Sequence, residues 1–379
     1  MAVSLFRYGM IGRSIIVKRH PIVSIRSATT GNGCASSSTS ERPNPNKESK
    51  SSTAKTIETY NFCLKHVEKY DRENYLAGLY INDNLLRRIN IALRAFNVEL
   101  SLIRDLSNNS DRAKIRFHFW SKLIDEIVLR NNQSDSTDEA KDLAYYRQTP
   151  VAKELLDLFS LVDVTKEVES LLRDLIGARV SSKVLGYQPF DSMDELELYC
   201  LKSNSAIYQL SWRLDALIRH TSENSCDNHD TSIFEQLSLD LGKAQGLSNI
   251  IRGIPYNSTK NCCYIPKDVL EQFDLSNRDF VGKNLDGAKI KPAVIFIADR
   301  CRVLLSQVYL NLSRLSSVSY YYQYRHLRNL FLPRVSIESN LKKLNRCDYN
   351  ICEPSLRQRN ELLALNLKLA SIYYKAPVI

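Results

Sequence analysis

Apolar residues recur at helical spacing through most of the chain. In the segment 85–106, for example, Ile89, Leu93, Phe96 and Leu100 follow one another at intervals of three or four residues, which places them on one face of an α-helix. No stretch has the sustained two-residue alternation of a half-buried strand. The pattern predicts helices over 85–106, 115–129, 196–217, 234–254, 293–315, 320–332 and 356–374.

Polar or proline-containing stretches separate these segments. Residues 108–110 end the first helix, Pro150 opens a further segment, 222–230 form a polar loop, and 255–260 end the helix before them. Glycine and proline are rare inside the segments, and the sequence has no internal repeat. We therefore predict an all-α fold that forms a single large helical domain.

Composition divides the chain into two parts. Of the 379 residues, 44% are hydrophobic, which is enough for a sizeable core. Residues 1–55, in contrast, hold nine Lys and Arg, two Glu and a serine-rich tract at 36–52. Such a composition is typical of a mitochondrial transit peptide, and a disordered basic tail is the alternative. We expect 1–55 to be a transit peptide with a disordered linker and 56–379 to be the folded domain.

The same counts exclude several classes of function. Most of the net charge of +10 lies in residues 1–55, so the body is close to neutral and no nucleic-acid partner is expected. No apolar run approaches the ~18 residues of a membrane-spanning helix. The nine Cys and six His have no metal-ligand spacing. We therefore expect neither a metal site nor a cofactor.

One predicted helix carries a polar stripe. Gln245, Asn249 and Arg252 are four and three residues apart, so they share one helix face. Gly242 and Gly246 are one turn apart, which would let another helix approach closely. Polar side chains in an otherwise apolar helix need buried partners. The stripe is either a pocket wall or part of an interhelical hydrogen-bond network, and the sequence leaves both interpretations open.

The chain also resembles a known family. Ala-Phe at 95–96, the run Gln-x3-Asn-Ile-Ile-Arg at 245–252 and Tyr-Ile-Pro at 264–266 are similar to motifs of squalene and phytoene synthases. The resemblance implies an all-α isoprenoid synthase fold with a central cavity. Those enzymes join two prenyl diphosphates. Their two aspartate-rich motifs hold the magnesium ions that neutralise the departing diphosphate.

This chain departs from the family at the aspartate-rich motifs. Ser101 and Asp105 stand at the positions that match the first motif, so one carboxylate is lost there. Glu99 is six residues from Asp105, ~240° around the helix, and does not replace it well. The positions that match the second motif hold no carboxylate: Gly253, Tyr256 and Asn257. The comparison therefore implies a pseudo-enzyme that cannot build the magnesium cluster.

A mitochondrial branch of the family is more similar still. The segments 93–100 and 242–246 and the pattern Arg252-x-x-Pro-Tyr carry this likeness, which runs from about residue 75 to near the C-terminus. Members of this branch are non-catalytic factors for respiratory complex I. They act early, on the membrane-arm intermediate with the first membrane-embedded core subunit. The resemblance implies complex I subunits or assembly intermediates as partners, and a location on the matrix side of the mitochondrial inner membrane with peripheral membrane contact.

These inferences define the candidate site. Polar side chains of the motif-bearing helices are expected on the walls of the central cavity: Asn97, Glu99, Asp105, Gln245, Asn249, Arg252 and Tyr256. No catalytic residue is assigned. Two alternatives remain open. One is a prenyl diphosphate-using transferase with relocated metal ligands, and the other is a module that binds an isoprenoid or lipid ligand in the cavity.

Overall fold

The computed structural model describes residues 45–107, 110–130, 145–220, 231–282, 285–315 and 325–372. Within these ranges the chain folds into helices joined by turns and forms no strand, so the predicted all-α fold is confirmed. The helices are α1 (Pro45–Tyr70), α2 (Arg72–Gly78), α3 (Asn84–Leu106), α4 (Ser110–Arg130), α5 (Pro150–Phe159), α6 (Lys166–Val180), α7 (Ser182–Leu185), α8 (Met193–Cys200), α9 (Ala206–His220), α10 (Thr231–Thr259), α11 (Lys267–Gln272), α12 (Gly287–Arg314), α13 (Pro333–Arg346) and α14 (Leu363–Ile372).

Two hydrophobic clusters fill the helical body. One surrounds α10, α12 and α13 and includes Leu247 and Ile297. The other lies among α1, α3, α4, α5 and α6 and includes Leu93 and Trp120. Helix α9 contributes to both, since Tyr208 packs in the first cluster and the adjacent Ile207 in the second. The motif-bearing part of α3 therefore packs in the second cluster and α10 in the first, and the two clusters meet across α9.

Side-chain caps explain where several helices begin. The Asp83 carboxylate accepts a hydrogen bond from the Leu86 amide (2.9 Å) at the start of α3. Ser192 accepts one from the Glu195 amide (3.2 Å) at the start of α8. Each cap satisfies an amide that has no partner inside its helix.

Helix α10 passes very close to a π-helical turn at Leu201–Ser205, which joins α8 to α9. A Cβ atom at Gly242 would collide with the backbone of Ser205, and one at Gly246 would lie 2.5 Å from Cys200 Cβ. Because only hydrogen fits at these two positions, the close approach predicted from the glycine spacing is confirmed.

The predicted end of the helix at residue 255 is wrong, because α10 continues through Pro255 to Thr259. Proline removes one amide donor and crowds the carbonyl four residues earlier. Here the following turn is held in place: the Ser258 hydroxyl donates to the Pro255 carbonyl (2.9 Å), and both Asn257 and Ser258 are buried.

Two predictions near the C-terminus are also wrong in the described part of the chain. In place of a helix over 320–332, residues 325–327 form a turn and Arg328–Phe331 a 3-10 helix. The α-helix begins instead at Pro333, because the fixed φ of proline suits the first helical position. The helix predicted from residue 356 begins at Leu363, after a second 3-10 turn.

Other segments differ from the expectation in their extent. The predicted helix 196–217 is divided by the π-helical turn, and α1, α2, α6, α7, α11 and α13 were not among the predicted helices. Helix α5 begins at Pro150, where a new segment was predicted. Helix α1 begins at Pro45, inside the segment 1–55. Residues 1–44, the break at 108–109, the loop 222–230 and residues 320–324 lie outside the described residues. Among the helices the structure describes, none is both long and apolar enough to cross a membrane.

Candidate functional site

A polar cavity lies where α2, α3, α6 and α10 meet the turn after α8. It encloses about 820 Å³, including its opening to solvent. Helix α3 contributes Asn97 and Ser101, and α10 contributes Gln245, Asn249 and Arg252. The cavity therefore lies between the two helices that carry the family-like motifs.

The structure brings four of the candidate residues together and leaves three elsewhere. Asn97, Gln245, Asn249 and Arg252 line the cavity. Glu99, Asp105 and Tyr256 are not part of its lining.

The three other residues have contacts of their own. The Glu99 carboxylate faces His66 Nε2 of α1 (2.9 Å), because two residues along a helix turn a side chain ~200° from Asn97. The Asp105 carboxylate lies 3.4 Å from the Arg104 guanidinium. The Tyr256 ring, one turn beyond Arg252, lies under Lys260 Nζ, 5.9 Å from the ring centroid.

A chain of hydrogen bonds links α10 to the start of α2. Gln245 Nε2 donates to Asn74 Oδ1 (3.0 Å), and the Tyr208 hydroxyl donates to Gln245 Oε1 (2.7 Å). Asn74 Nδ2 donates in turn to the Asp71 carboxylate (2.8 and 2.9 Å). Both ends of the Gln245 amide are therefore bonded, as a buried amide requires.

The carboxylates that face the cavity are paired with arginines from the facing helices. Asp71 lies 3.8 Å from Arg94, whose side chain is 2% exposed, and Glu73 lies 3.0 Å from Arg252. Asn340 of α13 also donates to Glu73 (3.2 Å). Burial raises the pKa of the Asp71 carboxyl, and the Arg94 charge opposes that increase.

A second buried arginine closes the other side of the cavity. Arg179 of α6 donates to the side-chain oxygen of Asn97 and to the Leu175 carbonyl. Burial lowers the pKa of the Arg179 guanidinium, since removing the charge from water disfavours it. Asn97 is thus both a cavity residue and a hydrogen-bond acceptor for a buried cation.

The main groups missed from sequence are Asp71, Glu73, Arg94 and Arg179. Arg94 carried a usable signal, because a charged residue inside the apolar run of α3 needs a buried partner. The other three lie in segments without a recognisable motif. Within the ranges the structure describes, no three His, Cys, Asp or Glu side chains are grouped so that they could hold a metal ion.

Sequence comparison identifies the relatives of this chain. The sequence model of the family described as squalene/phytoene synthase matches residues 67–363. A rat protein named NADH dehydrogenase (ubiquinone) complex I, assembly factor 6 is 30% identical over 315 residues, covering 83% of this chain and 82% of the relative. The human protein of that name is 28% identical over 313 residues, with the same coverage of 83% and 82%. Phytoene synthase 1 of Arabidopsis thaliana is 29% identical over 180 residues, which is 45% of this chain and 40% of that enzyme.

Solved structures confirm the predicted fold. The squalene synthase HpnC from Alicyclobacillus acidocaldarius superposes with a TM-score of 0.57 at 16% identity, covering 78% of this chain and 97% of that one. A dehydrosqualene synthase superposes with a TM-score of 0.60 at 13% identity, covering 84% and 97%. At these identities the likeness shows the fold alone.

Proposed function

Because this chain belongs to the squalene/phytoene synthase family, and relatives matched over most of their length are complex I assembly factors, we propose that it assists the assembly of mitochondrial complex I. The observation that carries the proposal is the match over 83% of this chain and 82% of the rat assembly factor. The role places the protein in the mitochondrion and makes complex I components its partners. The residue-level inference from the aspartate-rich motifs agrees with that role.

The geometry of the cavity supports a role without catalysis. In the family's reaction, clustered carboxylates must hold magnesium against a diphosphate. Here the carboxylates at the cavity, Asp71 and Glu73, already pair with Arg94 and Arg252. The resemblance to the family motifs implies that Ser101 and Gly253 stand where the family's enzymes have aspartates. We propose that the family's cavity has become a structural network and that the chain acts by binding.

The finer points of the role are also proposals. We propose that residues 1–55 direct import into mitochondria, because they are acid-poor and arginine-containing. We further propose that the folded domain works on the matrix side of the inner membrane, with peripheral membrane contact. Its client there is an early membrane-arm intermediate of complex I.

Loss of the protein is expected to remove complex I selectively. In cells from which this chain has been deleted, native gel electrophoresis should show assembled complex I reduced about tenfold or more, while the other respiratory complexes persist. Re-expression of the chain should restore complex I. Normal complex I in the deleted cells, or equal loss of all respiratory complexes, would contradict the assembly role.

The purified full-length chain is expected to show no prenyl transfer. We expect no diphosphate release above a heat-denatured sample with farnesyl or geranylgeranyl diphosphate and magnesium, because the matching motifs lack most of their carboxylates. A squalene synthase provides the positive control, and circular dichroism verifies that the chain is helical. Magnesium-dependent release that disappears in Asp105→Ala would show relocated metal ligands and an active enzyme.

A further inference from the structure

The C-terminal helix α14 is apolar on two opposite sides. It packs through Leu363 and Leu367, which are 4% and 0% exposed. Outside that contact, α14 and the turn just before it present a second set of apolar side chains, here called the leucine stripe: Leu362 in the turn (63% exposed), and Leu365 (51%), Leu369 (45%) and Ile372 (58%) in the helix. At ~100° per residue the three helical members span only ~60° of the helix surface, opposite Leu363 and Leu367. A helix that is apolar on two opposite sides requires a cover on both of them.

The length of α14 restricts what that cover can be. The helix has 10 residues, so it extends ~15 Å, about half the ~30 Å thickness of a bilayer's hydrocarbon core. Such a helix can lie along a membrane surface with its apolar side among the lipid chains. Lys368, the one charged side chain within Leu363–Ile372, lies at the edge of the stripe, where it can reach the headgroups.

A second observation concerns a pocket that ends where α14 begins. This basic pocket lies between α2, α10, α13 and the turn before α14, and it encloses about 1120 Å³ including its opening. Its apolar walls include Leu341, Leu344 and Leu356. Its charged lining consists of five cations and one carboxylate: Arg72, Arg252, Lys343, Arg357, Arg359 and Glu73.

Cations outnumber carboxylates in the lining of this pocket, although some of the cations have partners. Arg252 pairs with Glu73 (3.0 Å), and Arg72 lies 3.9 Å from Glu68, outside the pocket. Burial lowers the pKa of the Lys343 ammonium, and the nearby Arg252 charge lowers it further. An anionic group would relieve this repulsion. A pocket with apolar walls and cationic lining matches the chemistry of a phosphate-bearing lipid.

We propose that the leucine stripe and the basic pocket together form a docking surface for an anionic phospholipid membrane. The stripe enters the interface among the acyl chains, while the pocket's cations bind lipid phosphates. We favour a membrane over a protein partner because the neighbouring pocket is rich in cations, which complement lipid phosphates. The proposal rests on the assembly role above only in identifying the surface as a mitochondrial membrane.

Vesicle flotation of the full-length chain tests the stripe. The chain should float with phosphatidylcholine vesicles that contain phosphatidylglycerol, and the double variant Leu365→Asp, Leu369→Asp should bind them about tenfold more weakly. The matched control is Val303→Asp, Leu310→Asp. These residues are 51% and 47% exposed and seven residues apart on α12, so this variant should bind like the wild type. Equal binding by the stripe variant and the wild type would overturn the proposal.

Variants that remove positive charge test the contribution of the basic pocket to vesicle binding. The variant Lys343→Gln, Arg357→Gln should weaken binding to vesicles with phosphatidylglycerol by about threefold or more and leave binding to pure phosphatidylcholine unchanged. The control Lys166→Gln, Arg278→Gln removes two exposed cations elsewhere and should have a smaller effect. If both charge variants weaken binding equally, the pocket holds no special lipid contact and that half of the proposal fails.

A local readout separates this surface from the basic segment 1–55, which could itself attract anionic vesicles. Hydrogen exchange should slow in peptides covering 362–372 when vesicles are added and remain unchanged in peptides covering 300–312. Unchanged exchange in 362–372 would overturn the proposal even if the chain floats. Failure of the deletion experiment on complex I would remove the assembly role and leave this vesicle result standing.

Discussion

Replacing Glu154 with alanine is expected to lower the free energy of unfolding by about 3–5 kcal/mol. The Glu154 side chain is 0% exposed and accepts hydrogen bonds from Arg88 Nε (2.6 Å) and Thr59 Oγ1 (2.7 Å). It therefore joins α5 to α3 and α1. Removing the carboxylate leaves the Arg88 guanidinium, whose side chain is 25% exposed, without its counter-charge. Denaturant unfolding followed by far-UV circular dichroism measures the change.

An exposed ion pair provides the matched control for this prediction. Asp111 and Lys114 lie 3.2 Å apart on α4, with side chains 78% and 60% exposed. Water screens such pairs, so Asp111→Ala should change the free energy of unfolding by less than ~0.5 kcal/mol. A loss at Glu154 as small as the loss at Asp111 would show that the buried pair does not hold the three helices together.

Long amphipathic helices could be predicted from sequence because their own residues determine them. The helix α3 spans Asn84–Leu106, close to the predicted 85–106, since its buried residues repeat at helical spacing and Asp83 caps its start. Helix α1 was missed because its sequence is polar and few of its described side chains are buried, among them Cys63 and Val67. What holds α1 in place is the contact with α3 and α5, which the local pattern does not contain.

The candidate site, too, could be predicted from the sequence only in part. The stripe of Gln245, Asn249 and Arg252 could be predicted, since residues three and four apart share a helix face. Its partners could not, because Asn74 and Glu73 are more than 170 positions away along the chain. Glu99 and Asp105 were assigned to the cavity from motif position. Glu99 points away because it lies ~200° around α3 from Asn97, whereas Asp105 lies one turn beyond Ser101 and contacts Arg104.

The two interpretations of the polar stripe prove to be compatible. Gln245 and Arg252 line a cavity and also take part in its hydrogen bonds and ion pairs. In the family's enzymes a pocket wall must leave its charges available for metal and diphosphate. In this chain arginines compensate the carboxylates. Such a network is compatible with the proposed non-catalytic role, because paired side chains can hold the helices together without a ligand.

The substitution Gly242→Ala is expected to lower the free energy of unfolding by about 3 kcal/mol or more. Its methyl group would collide with the Ser205 backbone, so α10 and the π-helical turn would have to separate. The control is Gly177→Ala on α6, where a Cβ meets nothing within 4 Å. That change should stabilise the protein by about 0.5–1 kcal/mol, since alanine favours a helix. Thermal and denaturant unfolding compare the two variants. Equal effects would mean that α10 does not need its close approach to Ser205, and the packing that brings the stripe of Gln245 and Arg252 to the cavity would need another explanation.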